Sequence, residues 1–150
     1  MRYLILVRPG DHEPGGLSPR GQEQIRKLSE EFAHMVIGKP MILTSPAPPA
    51  NDSAQMLLFF FDGKVQEDKL LYSSADTNLN LPGAMKLVRQ YEGAAETIIV
   101  VTHEEYLNSF PAYFFNAEFE MGATYPFIKE GEALAISRTH KSITHVQPGE

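Results

Sequence analysis

Cysteine is missing from all 150 residues, which removes disulfide frameworks, thiolate metal sites and thiol nucleophiles together and fits a reducing compartment. Basic runs are missing as well. With 13 Lys and Arg against 19 Asp and Glu, a formal charge of −6 and a pI near 5.4, no stretch is suited to track a nucleic-acid backbone, so a nucleic-acid partner is not expected. The five histidines are scattered, and neither a metal nor a cofactor is expected from them. No apolar run approaches membrane-spanning length, and Tyr3 to Val7 is too short for a signal-peptide core before Arg8 and a Pro-Gly loop intervene. The expectation is a cytoplasmic protein with no membrane partner. There is also no internal repeat, Walker loop, dinucleotide glycine fingerprint or metalloprotease helix motif.

What is present is enough apolar residue, 43% of the chain, to bury one sizeable core and not two, so residues 1–150 are expected to form a single domain. Tyr3 to Val7 is a continuous branched-apolar run, the mark of a central strand covered on both faces. A loop over Asp11 to Gly16 follows. Ser18 can then cap a helix with Pro19 in its first position, and Ile25, Leu28, Phe32 and Met35 share one face of that helix before Gly38 and Pro40 stop it. Met41 to Thr44 predicts a second strand, running into a stretch from Ser45 to Pro49 too rich in proline for a helix interior or a central strand. Asn51 or Asp52 is expected to cap the next helix, which runs to about Phe61.

Six successive apolar residues, Met56 to Phe61, exceed what a one-faced surface helix needs, so deep burial is expected, with a subunit contact as the alternative. Lys64 to Leu71 is weakly strand-like, and Tyr72 to Leu81 reads as a polar loop. A short helix after Pro82 should turn Met85, Val88 and Tyr91 inward. Thr97 to Val101 is a second strongly apolar strand, ended by Thr102-His103, and Pro111 should kink or interrupt the helix beyond it. Ala133 to Ser137 and Ser142 to Val146 suggest a terminal hairpin. Strands alternating with helices predict a three-layer α/β/α fold with a mostly parallel central sheet, in which sites form at the carboxyl ends of strands. The positions of interest are therefore Arg8-Pro9-Gly10, Thr44-Ser45-Pro46 and Thr102-His103.

At these three strand ends the chain resembles the histidine phosphatase (phosphoglycerate mutase-like) superfamily, in particular its short bacterial phosphohistidine-phosphatase-like branch. Leu4-Ile5-Leu6-Val7-Arg8-Pro9-Gly10 resembles the opening strand and Arg-His-Gly signature, with Pro9 at the histidine position. Leu17-Ser18-Pro19-Arg20-Gly21-Gln22-Glu23-Gln24 is similar to the Leu-Thr-x-x-Gly-x-x-Gln start of the following helix. Leu43 to Ala50 resembles the Ser-Ser-Pro-x-x-Arg-Ala segment, with Pro49 at the arginine, and Ile99 to Glu104 resembles the strand that delivers the second histidine, with Glu104 where glycine is usual.

The resemblance implies a pocket in which the first histidine attacks phosphorus while two arginines and the second histidine hold the phosphoryl oxygens. Proline's amide nitrogen has no lone pair to attack with, so Pro9 closes that covalent route. Pro49 removes a bidentate phosphate donor, and no Lys or Arg lies between Lys39 and Lys64 to replace it. Glu104 and Glu105 place negative charge where an anion would sit. Of the implied four-residue site, Arg8 and His103 remain, with Ser45 and Glu104 beside them as parts of a vestigial phosphate pocket.

Each has a plainer reading: Arg8 as the partner of Glu104, His103 as a hydrogen-bonded structural histidine, and Ser45 as a turn former with no base identifiable beside it. His12 is a substitute nucleophile only if the backbone returns it to the site. Asp76, the acidic residue of the Tyr72–Leu81 loop, is assigned no role, nor are His34, His140 and His145. The expectation is a catalytically impaired, ligand- or protein-binding member of this group, its partner a phosphate-containing small molecule or a phosphoprotein. The alternatives are a phosphatase of divergent mechanism and a structural subunit assembling through Met56 to Phe61 or Tyr113 to Phe115.

Overall fold

The computed structural model describes residues 1–77 and 79–149. In chain order the elements are β1 (Tyr3–Val7), β2 (His12–Glu13), β3 (Gly16–Leu17), α1 (Pro19–Phe32), β4 (Met41–Thr44), α2 (Pro48–Phe61), β5 (Lys64–Glu67), α3 (Leu81–Tyr91), β6 (Thr97–Val101), α4 (Glu104–Phe119), β7 (Ala133–Ser137) and β8 (Ser142–Val146). Short 3₁₀ turns cover Ala33–Met35 and Lys69–Leu71. Six strands form one sheet in the order β5-β4-β6-β1-β7-β8, in which β1, β4, β5 and β6 run parallel and β7 and β8 add antiparallel pairs. This is the expected mostly parallel α/β arrangement.

The unbroken apolar runs of β1 and β6 follow from burial on both faces. Leu4, Leu6, Leu43, Ile98 and Val100 pack with α3 and α4, whereas Ile5, Val7, Ile42, Ile99 and Val101 pack with α1 and α2. Alternate side chains thus feed two separate cores, and the sheet is the middle of three layers. Ser18 caps α1 as its sequence suggests, accepting the Gly21 N–H at 3.0 Å.

Several expectations give way. The loop after β1 is a small hairpin, β2–β3, whose register sets His12 against Leu17. α2 starts at Pro48, earlier than a cap at Asn51 or Asp52, because prolines in the first turn lose only N–H groups that a helix leaves unpaired anyway. Asp52 accepts the Leu17 N–H at 3.1 Å instead, pinning the hairpin to α2. Met56 to Phe61 is not deeply buried: Leu57 is, but Phe59 is 93% exposed and Phe60 43%. Conversely Phe114 and Phe115 belong to the core, so Tyr113 to Phe115 is no assembly surface.

Nor does Pro111 interrupt α4, which runs through it from Glu104 to Phe119. One residue on, the hydroxyl of Tyr125 accepts the Ala112 N–H at 3.3 Å and donates to the Asn108 carbonyl at 2.7 Å. It bridges the groups that a regular helix pairs directly, where the proline loosens the ladder. Tyr125→Phe should therefore destabilise the protein by about 0.5–1.5 kcal/mol while keeping the ring's packing, as measured by urea unfolding; an unchanged midpoint would contradict the bridge.

Candidate functional site

The aligned parallel strands deliver their carboxyl ends to one edge. Thr102 donates its N–H to the Val7 carbonyl at 3.1 Å, and Ser45 donates to the Val101 carbonyl at 3.0 Å, so the residues just past β1, β4 and β6 are tied side by side. The turn before β7 joins them, since Arg8 donates its N–H to the Glu132 carbonyl at 3.0 Å. Above this edge lies an open cleft of about 310 Å³ whose wall includes Arg8, Pro9, His12, Pro49, His103 and Glu104. Glu105, Glu130, Ser73 and Ser74 complete its polar lining. Among the described residues of its wall, Arg8 is the lone permanent cation, beside three carboxylates.

Arg8 Nη1 donates to the Ile128 carbonyl at 2.8 Å, while Nη2 stands 3.9 Å from Glu104 Oε2, at the outer limit of an ion pair. The expected pairing is present but half exposed and loose, and an exposed pair of that kind contributes little. His103 precedes α4, with its Nε2 2.7 Å from the Ser45 hydroxyl and its ring edge against Tyr72 at 5.3 Å between centroids. Burial pushes the His103 imidazole below its ordinary value; Glu105 opposes this and Arg8 adds to it. The ring is consequently neutral near pH 7 and brings no positive charge. Ser45 also accepts the Ala47 N–H at 3.3 Å, so it forms the turn as expected, but it has a base beside it that the sequence does not reveal. Its complete burial makes it the fixture of the imidazole and not a group open to a ligand.

No family model and no curated protein sequence matches the chain. Solved structures do. A protein histidine phosphatase SixA complexed with tungstate aligns over 97% of both chains at a TM-score of 0.67 and 13% identity. A mycobacterial glucosyl-3-phosphoglycerate phosphatase aligns over 100% of both at a TM-score of 0.67 and 11% identity. A mutant phosphoserine phosphatase of Entamoeba histolytica, with a histidine changed to alanine and phosphoserine bound, aligns over 97% of this chain and 95% of its own at a TM-score of 0.63 and 16% identity. The chain has the histidine-phosphatase fold.

Within that fold, the segment resembling Leu-Thr-x-x-Gly-x-x-Gln has a mechanical explanation. The Ser18 hydroxyl donates to the Asp11 carboxylate at 2.6 Å, and Gln24 Oε1 accepts the Asp11 N–H at 2.8 Å. Between them, any side chain at Gly21 would collide with the Asp11 backbone. These residues hold the loop after Pro9 against α1 whether or not chemistry follows. Pro48 and Pro49 have a second effect beyond the missing arginine, because they occupy the first two positions of α2 and leave no N–H there for an anion.

His12 does return to the cleft. The hairpin folds it over, with Nδ1 3.2 Å from Glu130 Oε2. Nothing local signals this contact, since 118 residues separate the two. Asp76 is exposed and does not line the cleft, and Asn78 of the same loop lies outside the described residues. Among the described residues no cluster of three or more His, Asp or Glu is placed to hold a metal ion, and no helix is long and apolar enough to cross a membrane.

Because folding lowers the affinity of His103 for its proton, the unfolded chain binds that proton more tightly. Stability should then decline as pH falls through about 6.5, the unfolded value, and level off below the folded one. NMR titration of the His103 ring should give a midpoint below that of a model imidazole; a midpoint at or above it would contradict the described burial.

Proposed function

We propose that this chain is a histidine-phosphatase-like domain that binds a ligand at its strand-end cleft without turning it over. The observation that carries this reading is Pro9, at the buried end of β1 where the resemblance places the attacking histidine. The rest of the cleft supports it. Pro48 and Pro49 strip α2 of its donors, His103 is neutral, and Glu104, Glu105 and Glu130 oppose an incoming dianion. Loss of a nucleophile costs on the order of a millionfold in turnover where it has been measured, far more than Arg8 alone can restore. The mutant Entamoeba phosphoserine phosphatase shows that a protein of this fold lacking a histidine still holds a phosphorylated ligand. A phosphate-containing small molecule or a phosphoprotein is the corresponding partner class here, and the cytoplasm the corresponding location.

One contact favours a second reading. An imidazole whose Nδ1–H faces a carboxylate keeps its Nε2 lone pair free, and His12 stands so against Glu130 on the cleft wall. A divergent phosphatase would use His12 as its nucleophile.

The two readings separate in one assay. Hydrolysis of p-nitrophenyl phosphate by the natural protein should not exceed that of Arg8→Ala, both checked for folding. Turnover lost in both Arg8→Ala and His12→Ala, with a phosphorylated histidine trapped in the natural protein, would replace the first reading with the second.

A further inference from the structure

We infer that two copies of this chain pair about a two-fold axis through the outer face of α1 and α2, each Phe59 ring entering the other copy's groove and lying on its Arg26. This face is away from the strand-end cleft. Pro49 of the cleft wall and Phe59 stand near opposite ends of α2, about 15 Å apart along the helix axis.

Phe59 is 93% exposed, with Met56 and Phe60 beside it. A ladder of rings leads outward to this place: Phe32 in the core stacks on Phe61 at 5.5 Å between centroids, and Phe61 meets Phe60 edge-on at 4.8 Å. Among the described residues Phe59 has neither a ring nor a cation against its own. It stands in water at the end of an apolar track, as an anchor for another surface does.

Beside it lies a groove of about 510 Å³ between α2 and α1, whose far wall carries Arg26, Ser29 and Glu30. The polar groups of that wall are spent on one another. The Ser29 hydroxyl donates to the Ile25 carbonyl at 2.7 Å. Arg26 donates Nε to Glu23 Oε2 at 3.0 Å and Nη1 to Glu30 Oε1 at 2.7 Å, with Nη2 also on Glu23. These bonds lie at the edge of the guanidinium and leave its faces open, and a guanidinium face is what an aromatic ring stacks on. Lys27 stands 4.0 Å from Glu23, so Glu23, Arg26, Lys27 and Glu30 together carry no net charge. In a chain of charge −6, this is a face on which two copies can meet without repulsion.

Ring and socket belong to one patch, and that singles out a second copy as the occupant. A two-fold axis brings each Phe59 to the other's Arg26, so that one surface satisfies itself twice. Each ring removes about 150–250 Å² from water. The pair alone falls short of the roughly 1,200 Å² of a standard stable interface, so the dimer is a reversible one that forms at high concentration.

Sedimentation velocity on the full chain, from about 10 µM to about 1 mM, should show monomer giving way to dimer and to nothing larger. Phe59→Ser should stay monomeric throughout, with its urea midpoint unchanged because the ring is exposed. Arg26→Lys keeps the charge but loses the planar face, and should weaken pairing about threefold to tenfold. In a mixture of isotope-labelled and unlabelled chains, Overhauser contacts should join Phe59 of one copy to Arg26 of the other. A natural protein that is monomeric at the highest concentration overturns the pairing and leaves the patch to a partner of another kind. A dimer that persists in Phe59→Ser also overturns it, as does growth beyond the dimer, which needs a head-to-tail contact. None of these outcomes bears on the cleft, whose reading stands or falls with the phosphatase assay.

Discussion

β6 sits between β1 and β4 in parallel, with Val101 opposite Val7 on one side and Thr44 on the other. Because that register is shared, Arg8, Ser45 and Thr102 emerge at the same edge, and the cleft exists wherever those three residues leave the sheet. Alternating side chains of the three strands are buried on both faces, so a slip of one residue would exchange the residues that meet α1 and α2 with those that meet α3 and α4. The position of the cleft is thereby fixed by packing in the sheet.

The sheet register thus holds the strand ends of a histidine-phosphatase fold around a cleft poor in anion donors. The loop after β1 is held by the Ser18 hydroxyl, the Gln24 side-chain amide and the close approach of Gly21, and the turn before β7 by the Gly131 N–H. Pro9 contributes its carbonyl to this frame and needs no imidazole to do so. The cleft offers an anion few donors. A charge-assisted hydrogen bond contributes roughly 1.5–3 kcal/mol, so the absence of a second arginine, of two helix N–H groups and of a charged histidine matters to an anion far more than to the fold.

Most of the frame was legible along the chain. β1 and β6 are unbroken apolar runs closed by polar residues, and α1 has a capping serine followed by proline, signals that act over a few residues. What escaped needs contacts across long separations or a finer view of proline. The Ser45–His103 contact spans 58 residues and the His12–Glu130 contact 118, and neither leaves a mark on its surroundings. Proline's place needs that finer view: Pro48 opens α2, and Pro111 lies inside α4 beside a tyrosine that bridges the ladder it disturbs. For Met56 to Phe61, composition argued for burial, but α2 meets its neighbours along one face only, and Phe59 points away from it.

The central claim is that the frame survives and the chemistry alone is gone. Its most direct test is to return the missing groups together, as Pro9→His, Pro49→Arg and Glu104→Gly in one chain, and to measure phosphomonoester hydrolysis against the natural protein. The account predicts turnover that the natural chain lacks, with a phosphorylated histidine trapped at position 9. A folded triple variant with no turnover and no phosphohistidine would mean that the strand ends do not hold a phosphatase geometry at all.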